Sequence, residues 1–211
     1  MQNRLRGFAA VGAGVFCATG WTGPTSLNFI PIAEVLKHRE VHLELNSAVI
    51  EHQIDPTVYH ALAIQAGLFD RIEFGIDLGL DPKAHAIWNA KVLLGGTRDG
   101  KAAFGAGLWN CDDDYVEPYA VASHDLSWAR WHLGFSHDEV TRLIAGADGL
   151  ISKHFNWMAD FMGGTREQIW LGLGFSHPAV NGLGVSLSLG VPLNRSQGWQ
   201  GSLAIGYARP L

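Results

Sequence analysis

Charge is what this sequence has least of. Only 17% of its 211 residues are Asp, Glu, Lys or Arg, against roughly 25% in ordinary soluble domains. A soluble β-protein turns a polar face to water and covers it with such residues, so that face is under-supplied here. A basic excess is also missing. Fifteen Lys and Arg against twenty Asp and Glu leave a net charge of −5, which gives no footprint for nucleic acid. No run approaches 18 consecutive apolar residues, so a membrane-crossing helix is not expected. That says nothing against strands, which cross in about 9–11 residues. Cysteine is nearly absent. Of the two, Cys17 lies in a segment that reads as a leader, and once that is removed Cys111 has no partner for an intramolecular disulfide.

Glycine, in contrast, is abundant at 26 residues, and the pattern it belongs to organises the chain. From Arg71 to Leu80, large apolar residues fill the even positions, while Arg, Glu, Gly, Asp and Gly fill the odd ones. A period of two marks a strand with two unlike faces. The pattern recurs: Val41, Leu43 and Leu45 alternate with His42, Glu44 and Asn46, and Leu183, Val185, Leu187, Leu189 and Val191 with Gly184, Ser186, Ser188 and Gly190. Over Val58 to Leu68, Ala61 to Ile64 are consecutively apolar, but the position between two alternating runs favours a strand. Gly95-Gly96-Thr97-Arg98-Asp99-Gly100 is the strongest turn signal. In all, about 12 strands at roughly 14 residues each, turn included, predict an antiparallel up-and-down β-barrel over residues 39–211 with mostly short turns.

Before the barrel, Arg4 and Arg6 precede a small, apolar stretch from Phe8 to Ala18, and small residues precede Trp21. Residues 1–20 therefore read as a signal peptide. Residues 21–38 do not alternate, and Pro24 and Pro31 would each break a central ladder. They are expected to be an irregular lead-in with a short helical turn at Ala33 to Lys37, tucked into the barrel or laid along its wall.

Composition leaves two readings of the barrel open. Either the apolar face is a soluble core, and the protein binds a small apolar ligand or a protein partner, or that face points into lipid and the small polar residues line the inside. Tryptophans near predicted strand ends, Trp109, Trp128 and Trp199, suit interfacial girdles, whereas Trp88, Trp157 and Trp170 lie deeper. Charged residues on the inner face would be costly in lipid. Glu44, Arg71, Glu73, Asp77, Lys91, Lys101, Arg130 and Asp160 are thus expected to line a lumen, with Arg71 close to Glu73 or Glu44.

Two short passages resemble bacterial outer-membrane β-barrel proteins, including the YjbH-like barrels linked with exopolysaccharide secretion. One is the Gly…Pro-x-Ala…Leu segment ahead of the first strand, here Gly23, Pro31, Ala33 and Leu36. The other is Arg-Ile-Glu-Phe-Gly at Arg71 to Gly75. Together they cover about a tenth of the chain. The resemblance implies a fold and a place in the bacterial outer membrane, and no activity.

Candidate chemistry is thin. The ten histidines are scattered, several at turns or rims (His124, His137, His177), and read as solvated or lumen residues. Asp112, Asp113 and Asp114 read as a solvated loop more readily than as a calcium site. Ser-His dipeptides occur at Ser123, Ser136 and Ser176, but adjacent strand residues point to opposite faces and cannot serve one another as nucleophile and base. No catalytic, metal or cofactor-binding residue is assigned. The expectation is a non-enzymatic outer-membrane barrel in a lipid bilayer: a narrow channel, or the membrane part of a homo- or hetero-oligomer. A lipid-modifying barrel enzyme is a weaker third reading.

Overall fold

A computed structural model describes residues 27–51, 56–81, 85–164, 167–193 and 198–211. The expected leader over residues 1–20, the start of the lead-in that follows it, and the turn at Pro82 lie outside these residues. Twelve strands form. The first six are β1 (Glu40–Glu51), β2 (Pro56–Leu68), β3 (Ile72–Asp81), β4 (His85–Gly96), β5 (Ala102–Cys111) and β6 (Glu117–Leu126). They are followed by β7 (Ala129–His137), β8 (Thr141–Ser152), β9 (Phe155–Met162), β10 (Gln168–Ser176), β11 (Leu183–Pro192) and β12 (Gln200–Pro210). Each strand pairs antiparallel with its neighbours in sequence. β12 closes on β1, from Glu40 opposite Pro210 to Ile50 opposite Gln200. The alternation therefore does build a closed all-β barrel, and Ala61 to Ile64 are strand.

The pleat fixes the two faces. Leu187 is 62% exposed, while Ser186 and Ser188 on either side of it are buried. The same holds at Phe74 between Glu73 and Gly75, and at Leu133 and Phe135 around Gly134. Large apolar side chains make up most of the outward face, and small or polar ones most of the inward face. The inward exceptions are Trp109, Tyr119, Val121, Ile144, Met158, Met162 and Trp170. A soluble barrel has the opposite arrangement, since each exposed Leu or Phe forgoes about 1.5–3 kcal/mol of burial in water.

Face, and not depth in the strand, decides where the tryptophans go. Trp128 and Trp199 are exposed near strand ends, as a girdle requires. Trp109, also near an end, falls on the inner face with Gly105 and Gly107 and is 2% exposed. Trp170 is likewise inside. At the turn between β4 and β5, Gly100 takes φ +73°. The Thr97 hydroxyl and the Lys101 backbone N–H donate to Asp99 and hold its carboxyl below the ordinary value.

No described residue is helical, and in place of the helical turn expected at Ala33 to Lys37 the chain is irregular, with a bend at Ala33. Its N–H groups are claimed by side chains instead: Ala33 donates to Ser123 Oγ (3.1 Å), Leu36 to Glu73 Oε2 (2.8 Å) and Lys37 to Glu40 Oε2 (3.1 Å). Residues 27–38 meet β2 at Gly67, β3 at Glu73, β5 at Gly105, β6 at Ser123, β7 at Arg130, β8 at Gly146, β9 at Asp160, β10 at Gly172 and β11 at Ser188. A segment can touch nine strands of a closed barrel only from within.

Replacing Leu187 by Arg is expected to weaken insertion into lipid vesicles by about 2–4 kcal/mol, the cost of Arg on a lipid-facing wall at the midplane. Replacing Ser188 by Ala should cost much less. Urea titration of vesicle-folded protein reads the difference.

Candidate functional site

The interior is built around the inner segment. Its core is apolar: Leu27, Ile30, Ile32 and Ala33 pack with Trp109, Tyr119, Val121, Ile144, Met158 and Met162. Phe29 stacks on Trp170 with ring centres 5.7 Å apart and meets Trp109 edge-on at 6.4 Å. Inward glycines make the room. A Cβ at Gly172 would collide with Asn28 Oδ1, one at Gly105 would lie 2.9 Å from the Ala33 carbonyl oxygen, and one at Gly67 would strike the Leu36 and Lys37 carbonyls.

Polar anchors fix the segment along its length. Asp160 accepts three hydrogen bonds, from Asn28 Nδ2 (2.6 Å), Phe29 N (2.6 Å) and Ile30 N (3.0 Å), and Ser188 donates to Asn28 Oδ1 at 2.7 Å. Further on, Ser123 donates to Glu34 Oε2 (3.0 Å), and Arg130 pairs with Glu34 (3.1 Å) and with Asp148 (3.1 Å). At the rim where β1 begins, His38 N donates to Asp70 (2.7 Å) and the His38 ring stacks on Phe69. Hydrogen bonds to charged groups are worth about 1.5–3 kcal/mol each, and losing the acceptor strands buried donors.

Of the eight residues expected to line a lumen, Glu44, Glu73, Asp77, Lys91 and Asp160 are buried on inward positions, and Arg130 is half-buried. Arg71 and Lys101 are exposed in turns just before β3 and β5, where the pleat that would aim them inward has not begun. Glu73 is thus paired not with Arg71 but with Lys91, its register partner on β4, at 3.6 Å.

Several interior pairings are not expected from the sequence, including the partner of Ser123, which stands out there only for its neighbour His124. Ser123 faces His132 across β6 and β7 (Oγ to Nδ1 2.7 Å), and His132 Nε2 lies 2.8 Å from Asp148. The order of groups is that of a hydrolase. However, Ser123 is 2% exposed, and its hydroxyl already serves Glu34 and the Ala33 N–H. It works as an anchor. Glu117 is 1% exposed and pairs with Arg142 (3.5 Å), which also pairs with Asp138. The signal for these partners lies in cross-strand register, which needs the turns placed to the residue. His38 and His42 stand four apart, yet one is exposed on the rim and the other buried beside Gln65. Among the described residues no group of three or more His, Cys, Asp or Glu could hold a metal ion.

Among the described residues a cavity lies at each rim of the barrel. At the far rim a cavity of about 500 Å³ is floored by Phe29 and walled by Asn110, Tyr115, Glu117, Arg142, Gln168 and Gln200. At the rim nearer the chain ends of the barrel, a second of about 400 Å³ reaches Arg130, Asp148, Lys153 and Trp128.

No protein-family model and no curated protein matches the sequence. Solved structures do. The chain is similar to the KdgM porin, also solved in complex with disordered oligogalacturonate, with a TM-score of 0.58 and 10% identity over 79% of this chain and 98% of that one. It is also similar to an outer-membrane channel from Pseudomonas putida, with a TM-score of 0.52 and 10% identity over 84% and 98%. At that identity the likeness is one of fold: the chain has the barrel architecture of outer-membrane channels.

Gly172→Val is expected to dislodge Asn28 and expose residues 27–38 to limited proteolysis. Gly201→Val, whose Cβ would meet only the Ser188 oxygen at 4.0 Å, should leave cleavage unchanged.

Proposed function

We propose that the protein is a non-enzymatic outer-membrane β-barrel acting as a narrow channel, with residues 27–38 as an inner plug that restricts the passage. The observation that carries this reading is a largely apolar outward wall around an interior where carboxylates, amides, hydroxyls and glycines surround the apolar contacts of the inner segment. A wall of that kind is stable when lipid surrounds it. About 8 strands leave an interior that side chains fill and 16–18 an open pore. Twelve fall between, so a segment of the chain itself can set the remaining width.

Two further points support the reading. The similar solved barrels are a porin and an outer-membrane channel. In addition, Pro31, Ala33 and Leu36, which carry the resemblance to YjbH-like barrels, lie within the inner segment, with Ala33 against Gly105 and the Leu36 N–H on Glu73.

Reconstitution in planar bilayers tests the channel. Small conductance steps are expected from the intact chain, and larger ones from Asp160→Ala, which removes the acceptor of three plug hydrogen bonds. Silence from both would make the barrel a structural or binding element.

A further inference from the structure

The far-rim cavity has the size and the lining of a binding site. Its volume of about 500 Å³ falls in the range of small-molecule sites, roughly 300–1,000 Å³. Phe29, Ile87 and Met162 give it apolar surface, and Phe29 is steadied by its stack on Trp170. Gln168 lines the same cavity and is only 6% exposed. Its side-chain oxygen accepts from Trp170 Nε1 (3.1 Å), whereas its amide nitrogen has no partner among the described residues. A nearly buried amide with an open donor calls for water or for an acceptor on a ligand, such as a hydroxyl.

Charge in the cavity is one-sided. Among the described residues four carboxylates line it, Asp112, Glu117, Asp138 and Glu139, against one guanidinium, Arg142. Arg142 is already shared between Glu117 (3.5 Å) and Asp138. Glu117 is also served by the Tyr115 hydroxyl (3.2 Å) and Asn110 Nδ2 (3.4 Å). Asp112 and Glu139, on the neighbouring β5–β6 and β7–β8 turns, are exposed and enter no ion pair among the described residues. The cavity thus disfavours anions and offers two accessible carboxylates to a cation. Among the described residues no side-chain group suits a metal ion. An ammonium group asks only for acceptors, without a fixed coordination shell.

We propose that the far-rim cavity binds a small hydroxylated amine, such as an amino sugar, with its ammonium group toward Asp112 and Glu139 and a hydroxyl accepting from the Gln168 amide. This goes beyond the channel reading and stands apart from it, because binding in the cavity needs no passage through the barrel.

Isothermal titration calorimetry of the full-length protein folded in detergent tests the site, with D-glucosamine, D-glucose and D-glucuronate as probes of one ring shape and three charges. In mildly acidic buffer, where the amine is charged and the carboxylates are ionised, glucosamine is expected to bind at least about threefold tighter than glucose. Glucuronate should bind more weakly than either. Asp112→Asn/Glu139→Gln, which alters exposed side chains only, should bring glucosamine to the affinity of glucose. Gln168→Leu should weaken glucosamine and glucose alike, by about fivefold, and the double variant decides the matter if this one does not fold. No binding of glucosamine, equal binding of the three probes, tighter binding of glucuronate, or a preference unmoved by the double variant would overturn the proposal. None of these results bears on conductance, so the failure of the site and the failure of the channel are read separately.

Discussion

Closing a sheet with its apolar face outward gives the interior a problem that soluble barrels do not have. Each inward carboxylate, amide and hydroxyl must find a partner inside the tube, because nothing on the other side of the wall can supply one. Much of this structure answers that constraint. Lys91 neutralises Glu73, Arg142 neutralises Glu117, and Arg130 bridges Glu34 and Asp148. Where cations run out, the backbone of the inner segment takes over, and the Phe29 and Ile30 N–H groups serve Asp160.

The same constraint explains why the segment is not a helix. A helix would consume its own N–H groups and leave the wall acceptors unserved. As irregular chain it donates to β3, β6 and β9 and packs Leu27, Ile30 and Ile32 into an apolar pocket within a polar tube. Gly172 and Gly105 let its backbone come close, as bulkier wall residues could not. The segment and the wall are thus complementary in hydrogen bonding and in volume. That complementarity holds the interior in one arrangement, and a ligand or partner would need to compete with it.

Much of this was legible in the sequence. Alternation at Ile72 to Leu80 and at Leu183 to Val191 set strand, face and, with the turns, barrel closure, because a period of two has one structural meaning. It also placed Glu44, Glu73, Asp77, Lys91 and Asp160 on the buried face. It misled at Arg71 and Lys101, where it was extended past the end of the pleat, and at Trp109, where depth in the strand was weighed above parity. The Ser123–His132–Asp148 relay and the Glu117–Arg142 pair were not legible. They depend on the register between strands, and one residue of uncertainty in a turn sends each pair to opposite faces. The path of residues 27–38 was the least readable, since without periodicity only tertiary partners define it.

Amide hydrogen exchange on the full-length protein in a lipid bilayer addresses the central claim most directly, namely that residues 27–38 lie inside the barrel with their N–H groups bound to its wall. The amides of Phe29, Ile30, Ala33 and Leu36 are predicted to exchange as slowly as those of β9 and β10. Exchange at the rate of an exposed chain would contradict the account, since it would place the segment outside the wall and leave Asp160 and Glu73 without the donors seen here.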